Sequence, residues 1–113
     1  MSRASRESLI ARHSKPLAAG TPALDAEAIK QLRSAVTDWN IVNNELTRTF
    51  SFKNYYETMA FVNAVAWVSH REDHHPDLAV GYNKCTVRYS THSVGGLSEN
   101  DFICAAKVDA LMQ

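Results

Sequence analysis

Four of the five histidines stand at positions 70, 74, 75 and 92. Imidazole, with an unperturbed pKa of about 6.5, both gives and takes a proton near neutrality. His74 and His75 are adjacent and precede Pro76. The proline pushes His75 into an extended conformation, so the pair is spread and not helical. Such a cluster suits general acid–base catalysis: one imidazolium protonates a leaving hydroxyl while a neutral imidazole removes a nearby proton. No nucleophile is well placed, because Ser90, Thr91 and Ser93 flank His92 without a Gly-x-Ser-x-Gly elbow. No glycine-rich phosphate loop opens a helix. A metal site is the rival, since His70 and His74 have i, i+4 spacing and His75 and His92 offer further ligands. No cysteine or carboxylate completes a recognisable ligand set around them.

These residues need a scaffold. Asp25 reads as the N-cap of a helix over residues 25–36, with Leu24, Ala28, Leu32 and Val36 as its apolar stripe. Ile41 and Val42 lead into an Asn43-Asn44 turn, and residues 45–52 alternate as a strand. Arg48 falls on the apolar side of that strand and marks an edge or a functional contact. Asn54 caps a second helix reaching Arg71, with Tyr55, Met59, Val62, Ala66 and Ser69 as its face, widened by Phe61, Val65 and Val68. This most apolar helix is expected at the centre.

A second hairpin follows, with Asn83-Lys84 as its turn. That register sets Val80 opposite Val87, Leu78 opposite Tyr89 and, extended, His75 opposite His92, with Cβ atoms roughly 5 Å apart. Ser98 and Asp101 have capping-box spacing and open the last helix. The order α-β-β-α-β-β-α predicts a two-layer α+β fold: a four-stranded antiparallel sheet with three helices on one face. Its open sheet face and edges invite oligomer formation.

The 113 residues carry 45% hydrophobic residues, and twelve Lys+Arg cancel twelve Asp+Glu, so charge points to no nucleic-acid partner. Cys85 and Cys104 form no CxxC and no disulfide framework, which favours a reduced, intracellular protein. No apolar run approaches the ~20 residues of a membrane span. Residues 1–20 hold Arg3, Arg6, Arg12 and Lys15 against Glu7, lack periodicity, and read as a disordered basic tail before a single domain over 21–113. An Arg- and Ser-rich leader of this kind also resembles, weakly, an organelle import signal.

The spaced set His70, His74-His75-Pro76, Tyr82, His92 and Asp101 resembles the pterin-4a-carbinolamine dehydratase family. The strings Tyr82-Asn83-Lys84, Ser90-Thr91-His92 and Gly96-Leu97-Ser98-Glu99-Asn100-Asp101 resemble it too, and the likeness covers about residues 24–111. The resemblance implies loss of the 4a-hydroxyl of a 4a-hydroxytetrahydropterin as water, giving quinonoid dihydropterin without a metal or organic cofactor. It implies His74, His75 and His92 as catalytic residues, with Pro76, Thr91, Ser93 and Val94 as further substrate contacts. His70, Asp73, Tyr82 and Asp101 are additional candidates. His70 also reads as an exposed helix-end residue, Asp101 as a helix cap, and Tyr82 as core. Position 70 is His where many members of the family have Glu, so it offers no carboxylate here. The resemblance further implies a homodimer or homotetramer and a link to a pterin-dependent aromatic amino acid hydroxylase, and a cytoplasmic place is expected for this reduced chain. A protein-binding, coactivator role of the same fold is the alternative.

Overall fold

The structure, a computed structural model, describes residues 5–112. The elements are α1 (Arg6–Ile10), α2 (Ala26–Arg33), β1 (Asn40–Val42), β2 (Glu45–Ser51), α3 (Tyr55–Glu72), β3 (Asp77–Val80), β4 (Lys84–Tyr89), a 3-10 turn (His92–Val94) and α4 (Glu99–Ala110). The four strands form one antiparallel sheet in the order β1-β2-β4-β3. The expected two-layer α+β architecture is therefore present, with one helix more than the sequence pattern indicates.

Local chemistry explains the element ends. The Asp25 side chain accepts from the Ala28 N–H and the Asn54 side chain from the Glu57 N–H, each capping its helix. Asn43 and Asn44 both take positive φ, 51° and 62°, which closes the β1–β2 hairpin with the twist its strands require. The core lies between the sheet and the helices. Trp39, Leu46, Phe50, Val87, Tyr89, Phe102 and Val108 are its large members.

The central helix is α4, not α3. Nine of its twelve residues are buried, and α1, α2 and α3 all pack against it. The buried face of α3 is also rotated from the expected one: Thr58, Phe61, Val65 and Glu72 point inward, while Tyr55 and Ala66 are exposed. Apolar residues surround this helix on nearly every side, so hydrophobicity alone cannot orient it. Polar contacts decide instead. The Thr58 hydroxyl lies 2.9 Å from the carbonyl oxygens of Asn54 and Tyr82.

The β3–β4 register differs from the expected one by two residues. Leu78 faces Val87 and Val80 faces Cys85, and the Gly81 N–H donates to the Lys84 carbonyl, so Tyr82 and Asn83 make the turn. A shift of two keeps every side chain on its face. The Phe52 N–H donates to the Asn83 carbonyl and helps hold the turn there. Tyr82 is accordingly exposed.

Residues 5–20, expected as a disordered tail, are built into the fold. Ser5 and Ser8 make a capping box at α1, Leu9 is fully buried in the core, and Lys107 Nζ donates to the Ile10 carbonyl. Leu9, Ile10 and Leu17 are too few in this polar leader to give a periodic signal, yet Leu9 anchors the segment. Residues 1–4, the start of that expected tail, lie outside the described residues.

Candidate active site

The turn out of α3 aims His74. Asp73 adopts the left-handed conformation, φ 50°, and the His74 N–H donates back to the Ser69 carbonyl. The chain then leaves the helix and brings the His74 ring face to face with Tyr89, with centroids 5.7 Å apart and planes 14° apart. His74 Nε2 lies 2.6 Å from Asp101 Oδ1. Asp101, fully buried in the first turn of α4, accepts at Oδ2 from the Thr91 hydroxyl at 2.8 Å and the Ser98 N–H at 2.9 Å. Thr91 and Ser98 hydroxyls are 2.7 Å apart.

A carboxylate only accepts, which puts the imidazole hydrogen on Nε2 and leaves Nδ1 as the acceptor nitrogen of the neutral ring. Tyr89 fixes the ring plane. Burial, reinforced by its thiol and carboxylate neighbours, pushes the Tyr89 phenol far above its usual range, so it stays neutral behind the imidazole. Counting on from the Asp77–Arg88 pair, His74 falls level with Thr91, and both reach Asp101.

Above His74 opens a cleft of about 200 Å³. His74, Asp73, Glu72, Thr91 and Ser93 line it from one side, Asn100 from α4, and residues 14–17 from the N-terminal segment. The structure thus brings His74, Asp73, Thr91, Ser93 and Asp101 together. His75 and His92 do not face one another in a strand pair, because pairing ends at Asp77. Both are exposed; His75 Nδ1 is 3.4 Å from the Pro76 carbonyl oxygen, and His92 starts the 3-10 turn. They stand next in sequence to His74 and Thr91, and neither they nor Pro76 and Val94 line the cleft. His70 is exposed with its ring 5.5 Å from that of Trp67. The i, i+4 spacing of His70 and His74 brings no pair together, since α3 stops at Glu72. Among the described residues no three His, Cys, Asp or Glu side chains form a group that would hold a metal ion.

Three contributors escaped the sequence pattern as site members, Tyr89, Glu72 and residues 14–17, while Asn100 stood only within the string Gly96 to Asp101. Tyr89 was legible as the inward residue of an alternating strand, though not as the backing of His74. Glu72 is buried, and burial works to raise its carboxyl. The Ser14 N–H at 2.8 Å, the His13 ring at 3.1 Å and the Lys107 ammonium at 3.6 Å outweigh that and hold it below its usual value.

An α+β domain that sets an imidazole on a buried carboxylate beside a small cleft has an arrangement that suits acid–base work on a small molecule. The sequence model of the pterin 4 alpha carbinolamine dehydratase family matches residues 22–111. A protein of Nitrosospira multiformis is 59% identical over 107 residues, covering 95% of each chain, and one of Nitrosomonas eutropha is 63% identical over 102 residues, covering 89% of this chain and 90% of that one. Both bear the name pterin-4-alpha-carbinolamine dehydratase as a provisional assignment. The crystal structure of a transcriptional coactivator/pterin dehydratase from Brucella melitensis superimposes with a TM-score of 0.76 at 29% identity, over 80% of this chain and 99% of that one. A pterin dehydratase-like protein described as a RuBisCO assembly factor of the alpha-carboxysome gives 0.52 at 31% identity, over 59% and 77%. The chain belongs to the pterin-4-alpha-carbinolamine dehydratase family.

Proposed function

We propose that this protein dehydrates 4a-hydroxytetrahydrobiopterin to quinonoid dihydropterin and water, returning the pterin cofactor to an aromatic amino acid hydroxylase. The observation that carries the reading is the His74–Asp101 pair at 2.6 Å, opening on a cleft of about 200 Å³ in a chain of this family. In the proposed reaction the protonated His74 gives its Nδ1 hydrogen to the departing 4a-hydroxyl. The C4a–O bond breaks, water leaves, and the N5 proton passes to His75 as the C4a–N5 double bond forms. Asp101 holds the His74 ring and the hydrogen on Nε2 throughout. His92, exposed next to Thr91, is a proposed substrate contact, with Pro76, Thr91, Ser93 and Val94 as further ones. Every atom and electron of this elimination comes from the substrate and the imidazoles. A homodimer or homotetramer is the proposed assembly. No helix among the described residues is long and apolar enough to cross a membrane.

The test is stopped-flow absorbance of the 4a-hydroxytetrahydropterin generated in situ by a hydroxylase, with and without this protein, in chelator-treated buffer. Faster decay with the protein is the expected result; decay at the spontaneous rate overturns the reading. A binding role is the second reading, supported by the coactivator and assembly-factor descriptions of the two structural relatives. Tyr56 and Trp67 are large exposed rings on α3 that such a role would use.

A further inference from the structure

The N-terminal segment is tied to the residues that carry the site. Glu72 Oε1 accepts from the Ser14 N–H at 2.8 Å, and Oε2 stands 3.1 Å from His13 Nδ1. Asn100 grips the next residue twice: its Oδ1 accepts from the Lys15 N–H at 3.0 Å and its Nδ2 donates to the Lys15 carbonyl at 2.8 Å. Glu72 and Asn100 are both buried, with relative exposures of 5% and 7%. Glu72 stands two residues before His74, and Asn100 is the neighbour of Asp101. Outside these clamps, Arg12 pairs with Glu99 at 2.8 Å, and Leu9 plugs the core. A buried carboxylate and a buried amide directed at one stretch of backbone define its path closely. That path runs along the cleft, which Ser14, Lys15, Pro16 and Leu17 line together with His74, Thr91 and Ser93. Residues 14–17 precede the stretch 22–111 matched by the family model, yet they fall within the 107 residues aligned with the Nitrosospira multiformis relative.

We propose that residues 14–17 form a wall of the substrate site, and that Glu72 and Asn100 are positioning residues that hold this wall against the substrate. The inference rests on the dehydratase reading above. The wall works by binding, because no atom of it comes between His74 and Asp101. Releasing it weakens substrate capture and leaves the proton-transfer geometry in place. Losing hydrogen bonds of this kind corresponds to about a tenfold change in an equilibrium.

The experiment compares native protein with the Asn100→Ala and Glu72→Gln variants in steady-state dehydration, with thermal melting to establish that each is folded. KM is expected to rise about tenfold in Asn100→Ala, and less in Glu72→Gln, which keeps one acceptor for the Ser14 N–H. In both, kcat moves less than KM. A folded variant with native KM, or one whose loss lies wholly in kcat, overturns the proposal. Amide hydrogen exchange of the unaltered protein provides a second readout if a variant fails to fold. The Ser14 and Lys15 amides are expected to exchange more slowly when 7,8-dihydropterin is added, and unchanged exchange at saturating ligand overturns the wall. If the native protein gives no acceleration of dehydration, the dehydratase reading itself fails, whatever the variants do.

Discussion

Replacing Asp101 with asparagine alters one buried oxygen and forces a choice. The carboxylate accepts three hydrogen bonds: from His74 at 2.6 Å, Thr91 at 2.8 Å and the Ser98 N–H at 2.9 Å. The amide must point its NH2 at one side. Aimed at Ser98, it sets donor against donor and leaves a buried N–H unsatisfied, which costs about 1–3 kcal/mol. Aimed at His74, it costs less, but Nε2 must then accept, and the imidazole hydrogen moves to Nδ1. The second arrangement is therefore favoured, and it reverses the tautomer that faces the cleft. A reversed tautomer in a comparable His–Asp pair lowers kcat by about 10⁴, and general acid–base catalysis contributes about 10²–10⁴. The Asp101→Asn variant is expected to lose at least about a hundredfold in kcat while its melting temperature falls by only a few degrees. Stopped-flow dehydration and a thermal melt read the two quantities. A variant that keeps kcat within about twofold of native would refute the orienting role of Asp101.

Two further substitutions probe charges that the fold buries. Glu72 has its folded pKa held below the ordinary 4.5, so the unfolded chain takes up a proton there first. The stability it contributes is present above pH 4.5 and is lost as pH falls through the lower folded value. In Glu72→Gln this acid-side loss should shrink, as read by urea unfolding at a series of pH values. Asp109 runs the other way: burial raises its pKa from 3.8 despite the Trp39 and Arg48 contacts, so acidification through that window favours the folded form. Arg48 lies 2.6 Å from Asp109 and 4.3 Å above the Phe50 ring. Arg48→Met strands a buried carboxylate and should destabilise by about 3 kcal/mol in urea unfolding, with Arg48→Met/Asp109→Leu recovering part of it.

Much of the fold follows from local rules. The caps at Asp25 and Asn54, the Asn43-Asn44 turn and the alternation in β2 and β4 each have a chemical signature that acts within a few residues. The His74-Asp101 contact was legible only as two members of a spaced family pattern, since 27 positions separate them. The misread features depend on distant partners. The hairpin turn sits at Tyr82-Asn83 because Thr58 and Phe52, from other elements, bond its backbone. That shift of two removes the expected pairing of His75 with His92. Burial of Glu72 looks unfavourable in a one-dimensional pattern and makes sense only once His13, Ser14 and Lys107 surround it. Leu9 is one of a few scattered apolar residues in a basic leader, and what it anchors is visible only in three dimensions.

The most direct test of the central claim is the single-turnover rate of 4a-hydroxytetrahydropterin dehydration by the His74→Ala variant, set beside the native rate at saturating protein. The His74 imidazole, oriented by Asp101, is the proposed proton donor. The variant should therefore fall about 10²–10⁴-fold, toward the spontaneous reaction, with its fold intact. A His74→Ala variant that turns over at the native rate would contradict the account and move the chemistry to the exposed His75 and His92.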